Sequence, residues 1–336
     1  MTDTMIDRPG SAATAADAAP YVRADVRAFL DFLAGTPGPK MEEQSAPEAR
    51  VMFHAMGTIA DPPVGDLATI RDLAIPGPAG TIGARLFDVR ETRAPGPVVV
   101  YFHGGGFVIG DLDTHASFTA EMSRQLDLPV VSIDYRLAPE APWPAAPDDC
   151  EAATRWIASS PAALGRNATS LVLSGDSAGG NLAIVTAMAL RDAAAAVPVI
   201  AQAPIYPAAD MVTDYPSFAQ FSDGYLLTSA GMVWFGEQYR ADPASVRTSP
   251  LAGDLAGLPP AVIVTASLDP IRDQGRAYAA ALARAGVPVT FREAHGNIHG
   301  FVTLRQAIPS SVADVAGYLA AVKGAIAEAT ARMAAG

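Results

Sequence analysis

Near the start of the chain, apolar positions recur with the period of a helix. Val22, Val26, Phe29, Leu30 and Leu33 lie three or four residues apart, on one face of a helix between Tyr21 and Leu33. Gly35-Thr36-Pro37-Gly38-Pro39 breaks that pattern. A second helix is expected over residues 46–56. Strand character begins at residues 69–75 and, after a Pro76-Gly77-Pro78 turn, resumes at residues 82–87. Residues 97–102 form a continuous apolar run, as expected of a strand buried on both faces. Similar runs stand at 129–133, 170–173, 197–201 and 261–265. Helix-compatible stretches separate them, at 118–126, 148–157, 178–194 and 273–285. Gly286-Val287-Pro288 then stops the last of these before one more strand, 289–293. Strands alternating with helices predict an α/β fold, a mostly parallel central sheet flanked by helices.

Composition narrows the class. The chain has 336 residues, half of them hydrophobic. That is enough for two domains, or for one large α/β domain with an added lid. A net charge of −12 repels phosphate backbones and anionic headgroups, which argues against nucleic acid as a partner. No stretch approaches the roughly 18 apolar residues of a membrane span. The N-terminus lacks the basic and unbroken apolar regions of a secretory signal, so a cytoplasmic location is expected. Residues 1–20, rich in Ala, Thr, Asp, Gly and Pro, read as disordered. The single cysteine, Cys150, can form no disulfide within the chain. Asp148, Asp149 and Glu151 beside it disfavour the thiolate, so its role is structural.

Two glycine-rich segments carry candidate chemistry. Residues 171–183 place Gly175-Asp176-Ser177-Ala178-Gly179 between a buried strand and a helix. The pattern resembles the nucleophile elbow of α/β-hydrolases. A serine on so tight a turn has strained backbone angles, and small neighbours are needed where strand and helix approach. Its hydroxyl stands clear of the sheet at a helix N-terminus, where free N–H groups and the helix dipole favour developing negative charge. The second segment, His103-Gly104-Gly105-Gly106-Phe107, follows the strand ending at Phe102. Three successive glycines cost backbone entropy. A plain turn rarely needs them, whereas an anion pocket needs bare N–H groups close to substrate. The segment has the form of an oxyanion loop, with the N–H groups of Gly105, Gly106 and Ala178 as donors. Gly104 and His103 are read as loop support, His103 as an orienting residue rather than the base.

A serine nucleophile needs a base and a carboxylate to orient it, which in this fold follow the serine in the order acid, then histidine. Of five histidines, His295 and His299 come after Ser177. His299 lies in a glycine-flanked loop beyond the last strand; His295 sits at the strand end. Among the later acids, Asp269 directly follows the strand 261–265, and working residues sit beyond the carboxyl ends of strands. Asp273 begins the next helix and reads as an ordinary first-turn acid. We favour Asp269, and favour His299 in part on the resemblance that follows.

With these residues placed, the chain resembles the hormone-sensitive-lipase-like esterases, also called bacterial family IV. The matching segments are 103–107, 134–140 (Asp-Tyr-Arg-Leu-Ala-Pro-Glu), 144–146, 175–180, 269–273 and 299–301. They follow the family's order over roughly residues 70–305. One departure is Asn297, where a hydrophobic residue is commoner. The resemblance implies an α/β-hydrolase fold with a helical cap built from residues 21–56 and an insertion at 206–240. The catalytic domain would then comprise residues 57–205 and 241–336. It implies a carboxylic-ester hydrolase with a Ser177–His299–Asp269 triad, acting on small esters of short to medium acyl chains. It implies no cofactor and no metal. A homodimer through the last strand is expected, both from the resemblance and because an edge strand invites pairing. Amide or arylacetamide deacylation by the same machinery is the alternative within enzymes. Non-catalytic hormone receptors resembling this family lack the base histidine, which this chain keeps. A long-chain lipase is disfavoured, since no basic amphipathic surface is evident.

Overall fold

The computed structural model describes residues 19–335. The expected disordered stretch therefore lies, for residues 1–18, outside the described residues. The chain opens with two helices, α1 (Ala24–Gly35) and α2 (Ala46–Ala60), ahead of any strand. At the start of α2 the Glu48 carboxylate accepts from the Ser45 N–H at 3.0 Å and from its hydroxyl at 2.6 Å, which satisfies an amide left free at a helix start. Strands β1 (Thr69–Gly77), β2 (Gly80–Asp88) and β3 (Gly96–Phe102) follow, then α3 (Ala116–Leu126) and β4 (Val130–Asp134). Next come α4 (Ala145–Ala158), β5 (Ala168–Asp176), α5 (Ala178–Asp192) and β6 (Val199–Ile205). Two helices, α6 (Pro216–Gln220) and α7 (Ser229–Tyr239), lie between β6 and β7 (Ala261–Leu268). The chain closes with α8 (Arg272–Arg284), β8 (Val289–Ile298) and α9 (Ser311–Ala335).

The eight strands form one sheet in the order β1-β2-β4-β3-β5-β6-β7-β8. Only β2 runs against its neighbours; β3 through β8 pair in parallel. This is the expected fold class. The apolar run in β3 is explained by its two buried faces. Val98, Val100 and Phe102 join the core layer beneath α4, α5 and α8, while Val99 and Tyr101 join the layer beneath α3 and α9. The long helix α9 was not foreseen from the sequence. Its Val315, Tyr318, Leu319, Val322 and Ile326 cover one face of the sheet.

A third, smaller core joins the front helices to the insertion. Val26, Phe29 and Leu30 of α1 pack with Phe221, Leu268, Ile298, Leu304 and Ile308, and Leu226 packs against them. α2 turns one stripe of apolar residues inward. Ala49 and Ala60 are buried with Phe53 and Met56 half-buried, whereas Val51 is 72% exposed. The stripe 49, 53, 56, 60 has helical spacing, and Val51 lies off it.

Candidate active site

β5 ends at Asp176 and α5 begins at Ala178, so Ser177 alone forms the turn, with φ 56° and ψ −116°. Such an angle is rare for a residue with a side chain. It persists because the backbone on both sides is held: Ser177 N–H donates to the Ile205 carbonyl at 2.9 Å, and Asn181 N–H to the Ser177 carbonyl at 3.1 Å. The sequence permits the turn by removing Cβ atoms. A Cβ on Gly179 would stand 1.9 Å from the Phe102 carbonyl oxygen. Ser177 is left half-buried at the carboxyl edge of the sheet.

The three residues singled out from the sequence come together there. His299 Nε2 lies 2.8 Å from Ser177 Oγ, and His299 Nδ1 lies 2.7 Å from Asp269 Oδ2. Asp269 is fully buried, and its other oxygen accepts the Ile271 N–H at 2.9 Å. Tyr206 packs beside the His299 ring at 4.5 Å between centroids. The rival candidates stand apart. Asp273 pairs with Arg272 and Arg276 at the start of α8. His295 lies within β8, exposed, with its ring stacked on Tyr21.

The glycine loop also lies at this edge. Gly105 and Gly106 have φ of 114° and 59°, angles open to glycine at little cost. Among the described residues, the N–H groups of Gly105, Gly106 and Ala178 donate to no acceptor. Preorganised free donors of this kind stabilise an oxyanion.

His103 is buried, with Nδ1 2.8 Å from the Gly104 carbonyl and its ring stacked on Tyr135. Burial, reinforced by the neighbouring His115, lowers its pKa to about 4. It is neutral near pH 7 and, among the described residues, makes no hydrogen bond to Ser177.

Two features of the site go beyond the residues named for it from the sequence. Asp176, noted there only as part of the elbow, is an anchor. Its carboxylate accepts from Tyr101 OH at 2.5 Å and from Gly104 N–H at 2.7 Å, and faces His115 Nε2 at 3.3 Å. Burial opposes its charge, but the His115 ring and these hydrogen bonds outweigh that and hold its pKa below the ordinary carboxylate value. The residue before Ser177 thus ties down the 103–107 glycine loop. The second feature is the reach of the insertion into the site. A Cβ on Gly106 would meet the Phe235 ring at 2.3 Å, and one on Gly300 would meet Leu226 at 3.7 Å. An acid inside the elbow was the available signal for Asp176; for Phe235 it was the aromatic density of residues 206–240, readable as cap core or as acyl-pocket lining.

This sheet, this turn and this loop define an α/β-hydrolase, and the family model described as the alpha/beta hydrolase fold matches residues 99–303. Relatives narrow the class. Esterase LipI of Mycobacterium tuberculosis is 41% identical over 256 residues, 74% of this chain and 80% of that protein. The ethyl acetate hydrolase of Pseudomonas putida is 34% identical over 291 residues, 83% of this chain and 92% of its own length. The solved structure of a hyperthermophilic esterase from Pyrobaculum calidifontis, 35% identical, superposes with a TM-score of 0.84 over 91% of this chain and 99% of that one. The chain belongs to the hormone-sensitive-lipase-like family IV esterases of the α/β-hydrolase superfamily, and is an enzyme of the serine carboxylesterase class.

Proposed function

We propose that the protein hydrolyses small carboxylic esters of short to medium acyl chains through a Ser177–His299–Asp269 triad and an acyl-enzyme. The observation that carries this reading is the unbroken hydrogen-bond chain Asp269–His299–Ser177, at 2.7 and 2.8 Å. With the Nδ1 proton held toward the Asp269 carboxylate, Nε2 presents its lone pair to the Ser177 hydroxyl. His299 takes that proton as Oγ attacks the ester carbonyl. The oxygen of the tetrahedral intermediate is received by the N–H groups of Gly105, Gly106 and Ala178, each worth about 3 kcal/mol to the transition state. His299 returns the proton to the leaving alkoxide, which departs as the alcohol. A water activated by the same imidazole then releases the acid.

The acyl preference rests on the relative that hydrolyses ethyl acetate and on Phe235 and Leu226, which crowd the oxyanion loop and the residue after His299. In this reading residues 21–56 and 206–240 are the two parts of a cap over the site, supported by the shared core of Val26, Phe29, Leu30 and Phe221. We also assign a homodimer through β8, which among the described residues pairs only with β7 and leaves Thr290, Phe291 and Arg292 exposed.

Ser177→Ala tests the chemistry. Turnover of a chromogenic acetate ester should fall by about 10⁴-fold or more with the fold intact, because the members of a triad act as a unit. A folded variant with near-normal turnover removes Ser177 from the nucleophile's role. Parallel assays on the matching anilide decide between ester and amide hydrolysis.

A further inference from the structure

The end of β8, which presents His299, is held by residues outside the sheet, and these converge on one carboxylate. Asn297, two residues before His299, is fully buried. Its side-chain amide donates to Ser311 Oγ and to Asp314 Oδ2, both at 3.0 Å, and its Oδ1 accepts the Ile298 N–H at 3.0 Å. Both donors and the acceptor are therefore used, which also sets the orientation of the amide. Asp314, on the first turn of α9, accepts in addition from Arg23 at 2.5 and 3.0 Å.

Arg23 directly precedes α1, and it grips the same end of β8 by two further bonds. Its Nε donates to the His295 carbonyl at 2.8 Å and its backbone N–H to the Gly296 carbonyl at 3.2 Å. The Gly296 N–H donates to Ser267 Oγ at 2.7 Å. On the other side, Asp25 of α1 accepts from the N–H and hydroxyl of Ser310, just before α9. Residues 295–298 are thus tied to β7, to α9 and to the start of α1.

We infer that Asn297, Asp314 and Arg23 form a latch that couples the front helix α1 to the placement of the catalytic histidine, with Asn297 as its positioning residue. The inference rests on the reading of His299 as base. The buried amide is the link that transmits the hold: it fixes Ile298, the residue before His299, to Asp314, which Arg23 fixes to α1. None of the three touches substrate or the reacting atoms, so each acts through the position of the imidazole. A hydrophobic side chain at 297 would leave the Asp314 carboxylate and Ser311 hydroxyl without their partner, and the Ile298 N–H without its acceptor.

A double-mutant cycle with kinetics per titrated site tests this. Variants are counted by endpoint labelling with a fluorophosphonate, then assayed on a small acetate ester. Asn297→Ala should lower kcat by about 10–100-fold, the scale of a slightly misplaced catalytic group, with KM within about threefold. Arg23→Ala should lower kcat by a smaller factor, and the double variant should lose clearly less than the product of the two single factors, because Asp314 is a link common to both while Arg23 also holds the His295 carbonyl directly. Arg23→Lys should restore only part of the loss, since an ammonium cannot span the carboxylate and the His295 carbonyl together. A kcat per site within about twofold of the parent for Asn297→Ala overturns the latch, as do fully additive losses. Should Asn297→Ala not fold, Asp314→Asn and Arg23→Ala, both at less buried positions, carry the same comparison. Ser177→Ala runs alongside. If it stays active the reading of the site has failed; if it is inactive while the latch variants turn over normally, only the latch has.

Discussion

His103 shows how one buried side chain makes stability depend on pH. Its folded pKa is lowered to about 4, first by burial and then by His115, against about 6.5 in an unfolded chain. The neutral ring is the form the fold accepts. Between those values the unfolded chain takes up a proton that the folded one refuses, so stability falls as pH drops from about 6.5 to 4. The shift corresponds to something on the order of 3 kcal/mol. Asp176 acts in the same direction in a lower window: a depressed carboxylate pKa loses its contribution only as pH falls below the unfolded value of about 3.9. Thermal unfolding should therefore show a declining Tm from pH 7 to 4 and a second decline below it. His103→Asn, which keeps a donor for the Gly104 carbonyl, should flatten the first decline. An unchanged slope in that variant would assign it to other groups.

At the scale of elements, the elbow and the front helices meet at the 103–107 glycine loop. Asp176 holds it from below, and Arg50 of α2 holds it from outside, donating to the Val108 and Ala138 carbonyls at 2.8 Å while pairing with Glu140. α2 is thus more than a cover, and a truncation through residue 56 removes a support of the loop as well as the partner of Asp314. α7 closes the site from the other side, with Phe235 against Gly106. Replacing that ring opens space beside the donors. Phe235→Ala should move the optimum of a p-nitrophenyl ester series toward longer acyl chains. It should raise KM for the acetate several-fold while leaving kcat within about tenfold, since the ring supplies no charge to the transition state. An unaltered chain-length profile would place the acyl group elsewhere.

For the whole molecule, the exposed edge of β8 bears on assembly. An unpaired strand edge is a template for pairing, and Arg292 and the 40% exposed Phe291 stand on it. Light scattering at micromolar concentration should give a dimer, and Phe291→Asp should shift it toward monomer. A monomeric parent protein would refute the assignment. The sequence by itself was sufficient for the fold class, because apolar runs at strand length record burial on two faces, and for Ser177 and the glycine loop, because steric demands there are local and leave only small residues. It narrowed the candidates for acid and base to a few, since Asp269 follows a strand end and His299 stands directly before Gly300. What tertiary structure alone decided is everything that depends on meeting across distance. That includes the 2.8 Å from His299 to Ser177, the amphipathic helix α9 as a layer of the core, and the true inner face of α2. It also includes the convergence of Arg23, Asn297 and Asp314 from three separate parts of the chain. The physical reason is that periodicity and turn chemistry are properties of neighbours in sequence, whereas a buried polar side chain takes its partner from whatever the fold brings within about 3 Å.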